Sequence, residues 1–364
     1  MARLRVMFLS SAIAGRSGVS NVVPIVVNEL QRRGHRVSTA LAGPSEHRAW
    51  EEALTNIYIG PQKPSGHGLL GSPVSIARWL SDILQREQPS VVVAMNVQAI
   101  GLAKYAQVVT RRRFAIVSWL HQNLNYVRHP SLLQWCDGHL AISSGIADQI
   151  RGIVGSHAAV SICSNPVNVT VPVHERPENG IPKFLFIGRL DNHQKRIDRI
   201  LRALSQLRDL PWLLTVVGDG WDKAMLQQMA LELDVADRIT WTGWLNDPWS
   251  QVESATALLL TSDFEGFPMV LLEALARGIP AIAWDCPHGP RDIVRTNVNG
   301  WLVQDDSDLK TVLQDLASGK ACLPAAAAVV DSVRPFALDS VIATIETALN
   351  EAARGTDRSM AGIL

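Results

Sequence analysis

The chain alternates short apolar runs, each typical of a buried strand, with longer stretches in which apolar residues recur at helical spacing. The first part of the chain predicts a strand at 4–9, a glycine- and serine-containing loop at 10–20, a helix at 21–33 and a strand at 37–42. Later apolar runs predict strands at 90–95, 114–119, 140–144, 161–166, 184–187, 212–217, 239–243, 255–260, 280–284 and 301–304. Strands that alternate with helices favour an α/β protein with parallel sheets.

The segments between these strands predict helices and two irregular regions. Helices are predicted at 74–88, at 146–150 with Ser143 or Ser144 as the cap, and at 333–354. The region 50–71, rich in glycine, proline and histidine, is expected to be a loop, and 355–364 a disordered tail. The polar, proline-containing stretch 168–182 predicts a linker. We therefore expect domains at 1–168 and 169–335, followed by a helical segment and tail at 336–364.

The stretch TSDFEGFPMVLLEALARGIP, residues 261–280, predicts a loop and then a helix between two buried strands. Glu265 lies in the loop, and Glu273 lies near the apolar side of the helix. The free N–H groups at the start of the helix, 267–270, suit a diphosphate. An arbitrary pair of acids is usually solvated. Here the position between two strands of a doubly wound sheet favours a ligand site instead.

A second polar loop, GRLDNHQKRIDRIL, follows the predicted strand 184–187. Arg189 and Lys195 precede the next helix, which is expected to begin near Ile197. A guanidinium offers a planar fork and an ammonium a point charge, so the two cations suit a diphosphate.

Other candidate residues each leave two interpretations open. His121 follows the strand 114–119, where open α/β sheets bind ligands, although a lone histidine is more often structural. Lys104 and the adjacent arginines at 111–113 are expected at or beyond a helix end, where they either cap the helix or hold phosphates. Trp244 follows the strand 239–243, either as a wall of a base pocket or as a core residue.

Composition and charge indicate the number of domains and the kind of partner that the protein binds. A chain of 364 residues with 47% hydrophobic residues is long enough for two α/β domains. Lysine and arginine balance aspartate and glutamate at 34 each, yet residues 1–165 contain 16 basic and 8 acidic residues. Such a basic half suits a membrane surface, a phosphorylated glycolipid or nucleic acid, unless it is ordinary surface variation.

The spacing of the cysteines and the lengths of the apolar runs indicate the cellular compartment of the protein. The four cysteines have no paired metal-type spacing, which favours reduced thiols in the cytoplasm. The first residues read as a strand and not as a signal peptide, and no apolar run reaches the roughly 20 residues that cross a bilayer.

The segment EGFPMVLLE resembles the E-x7-E signature of the retaining nucleotide-sugar glycosyltransferases. This resemblance implies the GT-B fold, an α/β architecture with two Rossmann-like domains facing a central cleft and a last helix that crosses back to the first domain. The stretches AISSGI, SNPV, LLLTSDFEGFPMVLLEAL, GPRDI and VNG are similar to bacterial lipopolysaccharide core galactosyltransferases. The resemblance therefore implies a retaining, metal-independent transfer of a hexose, galactose above all, from a UDP-sugar to a lipopolysaccharide core or related glycan.

The predicted site combines the residue patterns with this resemblance. The predicted catalytic residues are Glu265 and His121. The predicted donor-binding residues are Gly18, Arg189, Lys195, Trp244, Phe267, Pro268, Met269, Val270 and Glu273. The predicted acceptor-binding residues are Gly15, Arg111, Arg112 and Arg113. No metal, no cofactor and no nucleic acid are expected. The resemblance implies UDP-galactose or UDP-glucose as the co-substrate and an anionic glycolipid or glycan as the acceptor. The protein is expected in the cytoplasm, and its association with the inner membrane stays open.

Three other functions remain open at this point. The chain could glycosylate another cell-surface polysaccharide. It could be a UDP-sugar epimerase, which forms product from the donor alone, or a noncatalytic binder, which never turns over. The presence of Arg189, Lys195, Glu265 and Glu273 together argues against the noncatalytic binder.

Overall fold

A computed structural model describes residues 3–11, 18–45, 50–61, 73–177 and 180–361 of the chain. Contacts divide the protein into unit 1, which comprises Met1–Pro166 and Leu338–Leu364, and unit 2, Val167–Ala337. Each unit has its own parallel sheet flanked by helices, and the predicted α/β class with two Rossmann-like domains is confirmed.

The sheet of unit 1 is parallel, and most of its strand residues are buried. Strands β1 to β7 span Arg5–Ser10, Arg36–Leu41, Ile57–Ile59, Val91–Ala94, Ala115–Leu120, Gly138–Ala141 and Val160–Ile162. They lie in the order β3-β2-β1-β4-β5-β6-β7. The expectation that 50–71 is all loop is wrong at β3, a short edge strand that pairs with β2 through Tyr58 and its neighbours. With only three residues, β3 lacks the periodic pattern that identifies a longer strand.

Four helices connect these strands within the described part of unit 1. Helices α1 to α4 span Gly18–Arg32, Pro73–Glu87, Val97–Thr110 and Ser144–Val154. Ser143 caps α4 as predicted, since its Oγ accepts a hydrogen bond from the N–H of Ile146 (3.3 Å). Lys104 lies in the middle of α3 rather than at its end, because α3 continues to Thr110 before Arg111 closes it in a left-handed conformation.

The sheet of unit 2 is also parallel. Strands β8 to β13 span Lys183–Ile187, Leu213–Val217, Ile239–Gly243, Ala257–Leu260, Ala281–Trp284 and Gly300–Val303. Their order is β10-β9-β8-β11-β12-β13, the arrangement of a doubly wound dinucleotide-binding fold. Helices α5 to α11 span Asn192–Lys195, Ile197–Ser205, Lys223–Glu232, Met269–Ala276, Pro290–Ile293, Asp306–Ala317 and Ala326–Asp331. Trp212, Phe184 and Phe186 are buried in the core between sheet and helices.

The last helix, α12 (Leu338–Ala361), belongs to unit 1, where it packs against α1 and β4 to β7. Its buried side carries Ile342, Ile345 and Leu349. Glu346 accepts a hydrogen bond from Nε2 of His35 (2.9 Å), whose Nδ1 accepts one from the N–H of Leu4. The prediction of a disordered tail from 355 is wrong up to Ala361, since α12 continues to that residue.

The two ends of unit 2 lie side by side. The N–H of Val167 donates to the carbonyl oxygen of Phe336 (2.9 Å), and Val167 forms a parallel bridge with Ala337. In the part of the chain that the structure describes, no helix combines the length and the apolar character that a bilayer crossing requires.

Candidate active site

The carboxyl ends of β8 and β11 mark the point at which unit 2 is expected to bind a ligand. These strands are neighbours, but β9 and β10 lie on one side of them and β12 and β13 on the other. Open α/β sheets bind ligands outside the carboxyl ends of the strands at such a switch point. Gly188 and Arg189 follow β8, and the segment 261–265 follows β11. The sheet therefore brings the loops of Arg189 and Glu265 to one edge.

The partly buried Lys195 and the buried Glu265 form an ion pair at this edge. The Nζ of Lys195 lies 2.6 Å from Oε1 of Glu265, and Ser262 Oγ donates to the same oxygen (2.7 Å). The side chains are 18% and 7% exposed. Oε2 of Glu265 makes no hydrogen bond within the described residues, and an ammonium carries two further N–H donors. The pair can therefore bind hydroxyl and phosphate oxygens while it stays intact.

A second set of ion pairs holds the two loops together. Arg196, in a left-handed conformation between α5 and α6, pairs with Asp198 (3.0 Å) and Asp263 (3.0 Å). Arg199 pairs with Asp263 as well (2.7 Å). The hydroxyl of Thr261 donates to the carbonyl oxygen of Arg196 (2.9 Å). These contacts fix the position of the Lys195 loop relative to the Glu265 loop.

Arg189 is the exposed cation of the predicted pair. It forms no ion pair with any residue that the structure describes. A Cβ placed on the preceding Gly188 would lie 4.0 Å from Cε of Lys195, so the aliphatic part of Lys195 lies beside this turn. Gly218, at φ +143°, packs against the turn so closely that its own Cβ would lie 1.8 Å from the carbonyl oxygen of Gly188. Only glycine allows this approach.

The start of α8 presents backbone N–H groups at the same edge. Pro268 occupies the N-cap position without a side-chain hydrogen bond, and Met269 and Val270 form the first turn. The first N–H groups of a helix have no partner within the helix and attract anions. Gly289, at φ +95°, contacts this turn; a Cβ there would lie 2.6 Å from Cδ of Pro268. Phe267 is buried and packs 5.9 Å from the ring of Phe336.

Glu273 lies one turn further along α8 beside Trp249. The indole N–H of Trp249 donates to Oε2 of Glu273 (3.1 Å), and Arg277 lies over the Trp249 ring at 4.3 Å. Burial raises the pKa of Glu273, whereas the hydrogen bond from Trp249 and the charge of Arg277 lower it. A carboxyl group held in this way accepts hydrogen bonds from a ligand hydroxyl. Trp244, by contrast, is 54% exposed after β10, which excludes the core interpretation.

Unit 1 contains, at the carboxyl end of β5, a half-buried histidine. Both ring nitrogens of His121 are buried and have no hydrogen-bond partner, and the ring meets Trp119 edge-on at 4.3 Å. Burial lowers the pKa of His121 to about 3, so the imidazole is neutral near pH 7. Buried polar groups are nearly always hydrogen-bonded, and an exception of this kind is typical of a functional site.

The same sheet edge contains a polar cluster at the switch point of unit 1. Asn96 donates to the hydroxyls of Ser10 and Ser11 (2.8 Å each) and accepts from the N–H of Ala99 (2.9 Å). Gly18 is the first residue of α1, whereas Gly15 lies outside the described residues.

The three predicted acceptor-binding arginines lie at the other edge of this sheet. Arg111, Arg112 and Arg113 precede β5, whereas His121 follows it. A strand rises about 3.3 Å per residue, so β5 separates the two groups by roughly 20 Å. The structure does not bring these arginines together with His121.

Acidic side chains can also hold metal ions. Across the described ranges, no group of three or more His, Cys, Asp or Glu side chains is placed to do so. One Asp-x-Asp pair, Asp306 and Asp308, lies in the exposed first turn of α10, where Asp308 accepts from the N–H of Gln304 (3.2 Å).

Several residues of this site were not predicted from the sequence. Arg196, Asp263, Trp249 and Gly289 act through neighbours that are distant in the chain. Asp263 lies within the TSDFEG segment and Trp249 within NDPW, and neither segment has a periodic pattern that identifies the partner.

Comparisons with known proteins agree with this architecture. A family model described as Glycosyl transferases group 1 matches residues 173–319, and one described as Glycosyltransferase Family 4 matches 16–171. The lipopolysaccharide 1,6-galactosyltransferase of Escherichia coli (strain K12) is 34% identical over 336 residues, 87% of this chain and 90% of that protein. The protein of the same description from Salmonella typhimurium is 32% identical over 317 residues, 82% and 85% of the two chains.

Solved structures give the same picture. The apo form of a lipopolysaccharide outer core galactosyltransferase matches with a TM-score of 0.83 and 28% identity, covering 95% of this chain and 99% of that one. An Anabaena protein solved in complex with UDP matches with a TM-score of 0.78 over 95% and 99% of the chains. Its identity is 16%, so this second likeness concerns the fold alone.

Proposed function

Because this chain belongs to the glycosyl transferases group 1 family and is therefore a glycosyltransferase, we propose that it transfers galactose from UDP-galactose to a lipopolysaccharide core. Two relatives that are at least 32% identical over most of the chain are lipopolysaccharide 1,6-galactosyltransferases, which supports both the sugar and the acceptor. The observation that carries the proposal is the Lys195–Glu265 ion pair at the switch point of unit 2.

The leaving group is the diphosphate of UDP. As the bond between the anomeric carbon and the β-phosphate oxygen breaks, negative charge grows on the phosphate oxygens. The remaining N–H donors of Lys195, the uncommitted guanidinium of Arg189 and the first amides of α8 at Met269 and Val270 stabilise that charge. In this scheme the protein's own cations and amides take the role that a divalent ion plays in other transferases.

Two carboxyl groups position the donor. Oε2 of Glu265 accepts hydrogen bonds from hydroxyls of the transferred sugar, and the negative carboxylate stabilises the positive charge that develops at the anomeric carbon. Glu273, held by Trp249, accepts hydrogen bonds from the ribose. Trp244 contacts the nucleobase next to the end of β10.

The configuration at the anomeric carbon is retained because the acceptor hydroxyl attacks on the face that the diphosphate leaves. The new bond joins the acceptor oxygen to the anomeric carbon, and the hydroxyl proton passes to an oxygen of the departing β-phosphate. His121, neutral and without a protein partner, offers one donor and one acceptor to a sugar hydroxyl. The resemblance alone assigns Gly18, the first residue of α1, to donor binding and Gly15 to acceptor binding.

We place the acceptor's membrane on α3 of unit 1. Tyr105, Val108 and Val109 are 53%, 71% and 53% exposed and share one face of this helix. Lys104 and the three arginines at 111–113 flank them and form no ion pair with any described residue. Apolar and basic side chains on one surface suit an anionic bilayer. The enzyme would thus act at the cytoplasmic face of the inner membrane.

UDP release from a panel of UDP-sugars, with and without a truncated lipopolysaccharide acceptor, tests the proposal. We expect release from UDP-galactose that rises only with the glycolipid, persists in the presence of a chelator and is lost in Glu265→Gln. Turnover of the donor alone to another UDP-sugar would indicate an epimerase. A preference for another donor, or no response to the glycolipid, would overturn the lipopolysaccharide assignment.

Replacing Val108 and Val109 with serine tests the membrane contact separately. Binding to vesicles that contain phosphatidylglycerol should weaken, whereas turnover of a detergent-dispersed acceptor should stay the same. Equal vesicle binding by both proteins would refute the role of α3.

A further inference from the structure

The strands of unit 1 begin at a cavity lined by arginines. The cavity has a volume of about 590 Å³ and lies between the starts of β1 and β2, the residue before β4 and the end of α12. Its lining residues are Arg3, Leu4, Arg5, Arg36, Ser90, Asn350, Ala353 and Arg354. Because parallel strands all start at one edge, this cavity lies at the edge of the sheet opposite to His121.

The cavity has a strong excess of positive charge. Its lining includes four guanidinium groups and no carboxylate. Arg36 lies 3.3 Å from Glu87, and Arg5 donates to the amide oxygen of Gln88 (3.4 Å). Within the described residues, Arg3 and Arg354 form neither an ion pair nor a side-chain hydrogen bond. Two of the four cations therefore remain fully available to a ligand.

The register of the sheet adds an independent observation. Arg5 and Arg36 are direct partners in the pairing of β1 with β2, so two positive side chains stand opposite each other on neighbouring strands. Like charges this close repel each other, and Glu87 offsets only the charge of Arg36. An anion between the two guanidinium groups would offset both charges.

We propose that this cavity binds a molecule with two or more phosphate groups. Guanidinium groups bind phosphate oxygens through paired N–H donors, and four of them exceed what one phosphate requires. The volume is within the range of small-molecule sites. Leu4 and Ala353 are the apolar residues of the lining, which has four guanidinium groups and no carboxylate, so charge distinguishes the ligand. A soluble diphosphate and the headgroups of anionic lipids share this chemistry.

The ligand also links the two segments of unit 1. Arg354 lies near the end of α12, whereas Arg5 and Arg36 begin the first two strands. A bound polyphosphate would bridge these segments, and we expect it to raise the thermal stability of the protein.

Calorimetric titration with inorganic pyrophosphate at low ionic strength tests the proposal. Saturating UDP in the cell occupies the proposed donor site, and its own binding heat tests that function separately. Arg3→Gln with Arg354→Gln should weaken pyrophosphate binding about tenfold or more, since two charged hydrogen-bonding groups are lost. Both residues lack partners in the described structure, so far-ultraviolet circular dichroism should not change.

The matched control is Arg78→Gln with Arg128→Gln. These arginines are also exposed, unpaired and in unit 1, but outside the cavity, and their loss should leave pyrophosphate affinity unchanged. Equal effects of the two double variants, or no pyrophosphate binding by the wild-type protein, would overturn the proposal.

Vesicles containing cardiolipin, an anionic lipid with two phosphates in one molecule, identify the source of the phosphates. If the ligand is a lipid headgroup, the Arg3 and Arg354 double variant binds these vesicles less well, and pyrophosphate competes with them. If the ligand is soluble, vesicle binding stays at the wild-type level although pyrophosphate binding falls. Either result supports the site.

Discussion

Replacing Lys195 with methionine separates the chemical role of the Lys195–Glu265 pair from its structural role. Methionine retains much of the aliphatic volume beside Gly188 but removes the charge and the donor 2.6 Å from Glu265. Glu265 then remains buried with a single donor, the hydroxyl of Ser262. The reciprocal change, Glu265→Gln, removes the negative charge and keeps the shape.

The expected loss of stability in Lys195→Met follows from the general cost of breaking an ion pair. Breaking a buried ion pair by removing one partner costs about 3–5 kcal/mol. With Ser262 still bound to Glu265, we expect about 3 kcal/mol for Lys195→Met. When both charges are removed, no unpaired charge remains at the site. The double variant should therefore be more stable than the sum of the single changes indicates, with a coupling of about 2 kcal/mol.

Activity should behave differently from stability. Loss of one donor to a developing oxyanion lowers turnover by about 10²- to 10³-fold. Lys195→Met should show a decrease in kcat/KM of about that size, and Glu265→Gln one of at least about tenfold. The double variant should regain stability but not activity. Urea unfolding and UDP release with acceptor are the two measurements.

Glu346→Gln provides the matched control. Glu346 has a similarly buried side chain, 8% exposed, and accepts hydrogen bonds from two basic side chains, Arg33 and His35, in unit 1. Its replacement should lower stability and leave kcat/KM unchanged. Turnover that follows stability through the whole series, and returns in the double variant, would refute the catalytic role of the pair.

Three further predictions concern neighbouring contacts. Trp249→Phe removes the N–H that holds Glu273. Since a hydrogen bond to a charged group contributes about 1.5–3 kcal/mol, UDP affinity measured by calorimetry should fall about tenfold. Unchanged affinity would mean that Glu273 does not bind the nucleotide. Gly289→Ala places a methyl group against the start of α8, at a residue with positive φ. It should lower the free energy of unfolding by about 1–3 kcal/mol. If the variant is as stable as the wild type, this turn can move to accommodate the methyl group. Burial lowers the pKa of His121 to about 3, below the value near 6.5 of an unfolded histidine, so the folded state loses stability as pH falls from 6.5 toward 3. His121→Gln should flatten this part of the urea-derived stability curve; parallel curves for wild type and His121→Gln would contradict a neutral ring with buried nitrogens.

The sequence predicted the two sheets well because their strands are short apolar runs between turn residues. The strand at 239–243 has the predicted bounds, and Ser143 caps α4 as expected. The resemblance to the glycosyltransferase family is confirmed as well. Errors occurred where the local pattern is weak. Ile57–Ile59 is a strand only because it pairs with β2, and α12 continues beyond 354 although the polar stretch GTDRS there favours a tail.

The candidate site was less accessible to sequence reasoning. Glu265 and Lys195 stand in recognisable motifs, and their roles remain predictions. The ion pairs that join the two loops, Arg196 and Arg199 with Asp263, require contacts across more than 60 positions. The arginines at 111–113 and His121 lie at opposite edges of the sheet. This separation depends on the direction of β5, which the spacing of the residues alone does not give.

The return of α12 to unit 1 has a consequence for the order of folding during synthesis. A ribosome releases the whole of unit 2, Val167–Ala337, before α12 emerges. The buried side of α12 covers strands of unit 1 that were synthesised much earlier. The apolar surface of these strands therefore stays exposed until α12 has been synthesised. Unit 2 has no such delay, because Val167 and Ala337 pair as soon as its last residues appear. Translation that stops before Leu338 should therefore yield a folded second half attached to an unfinished first half.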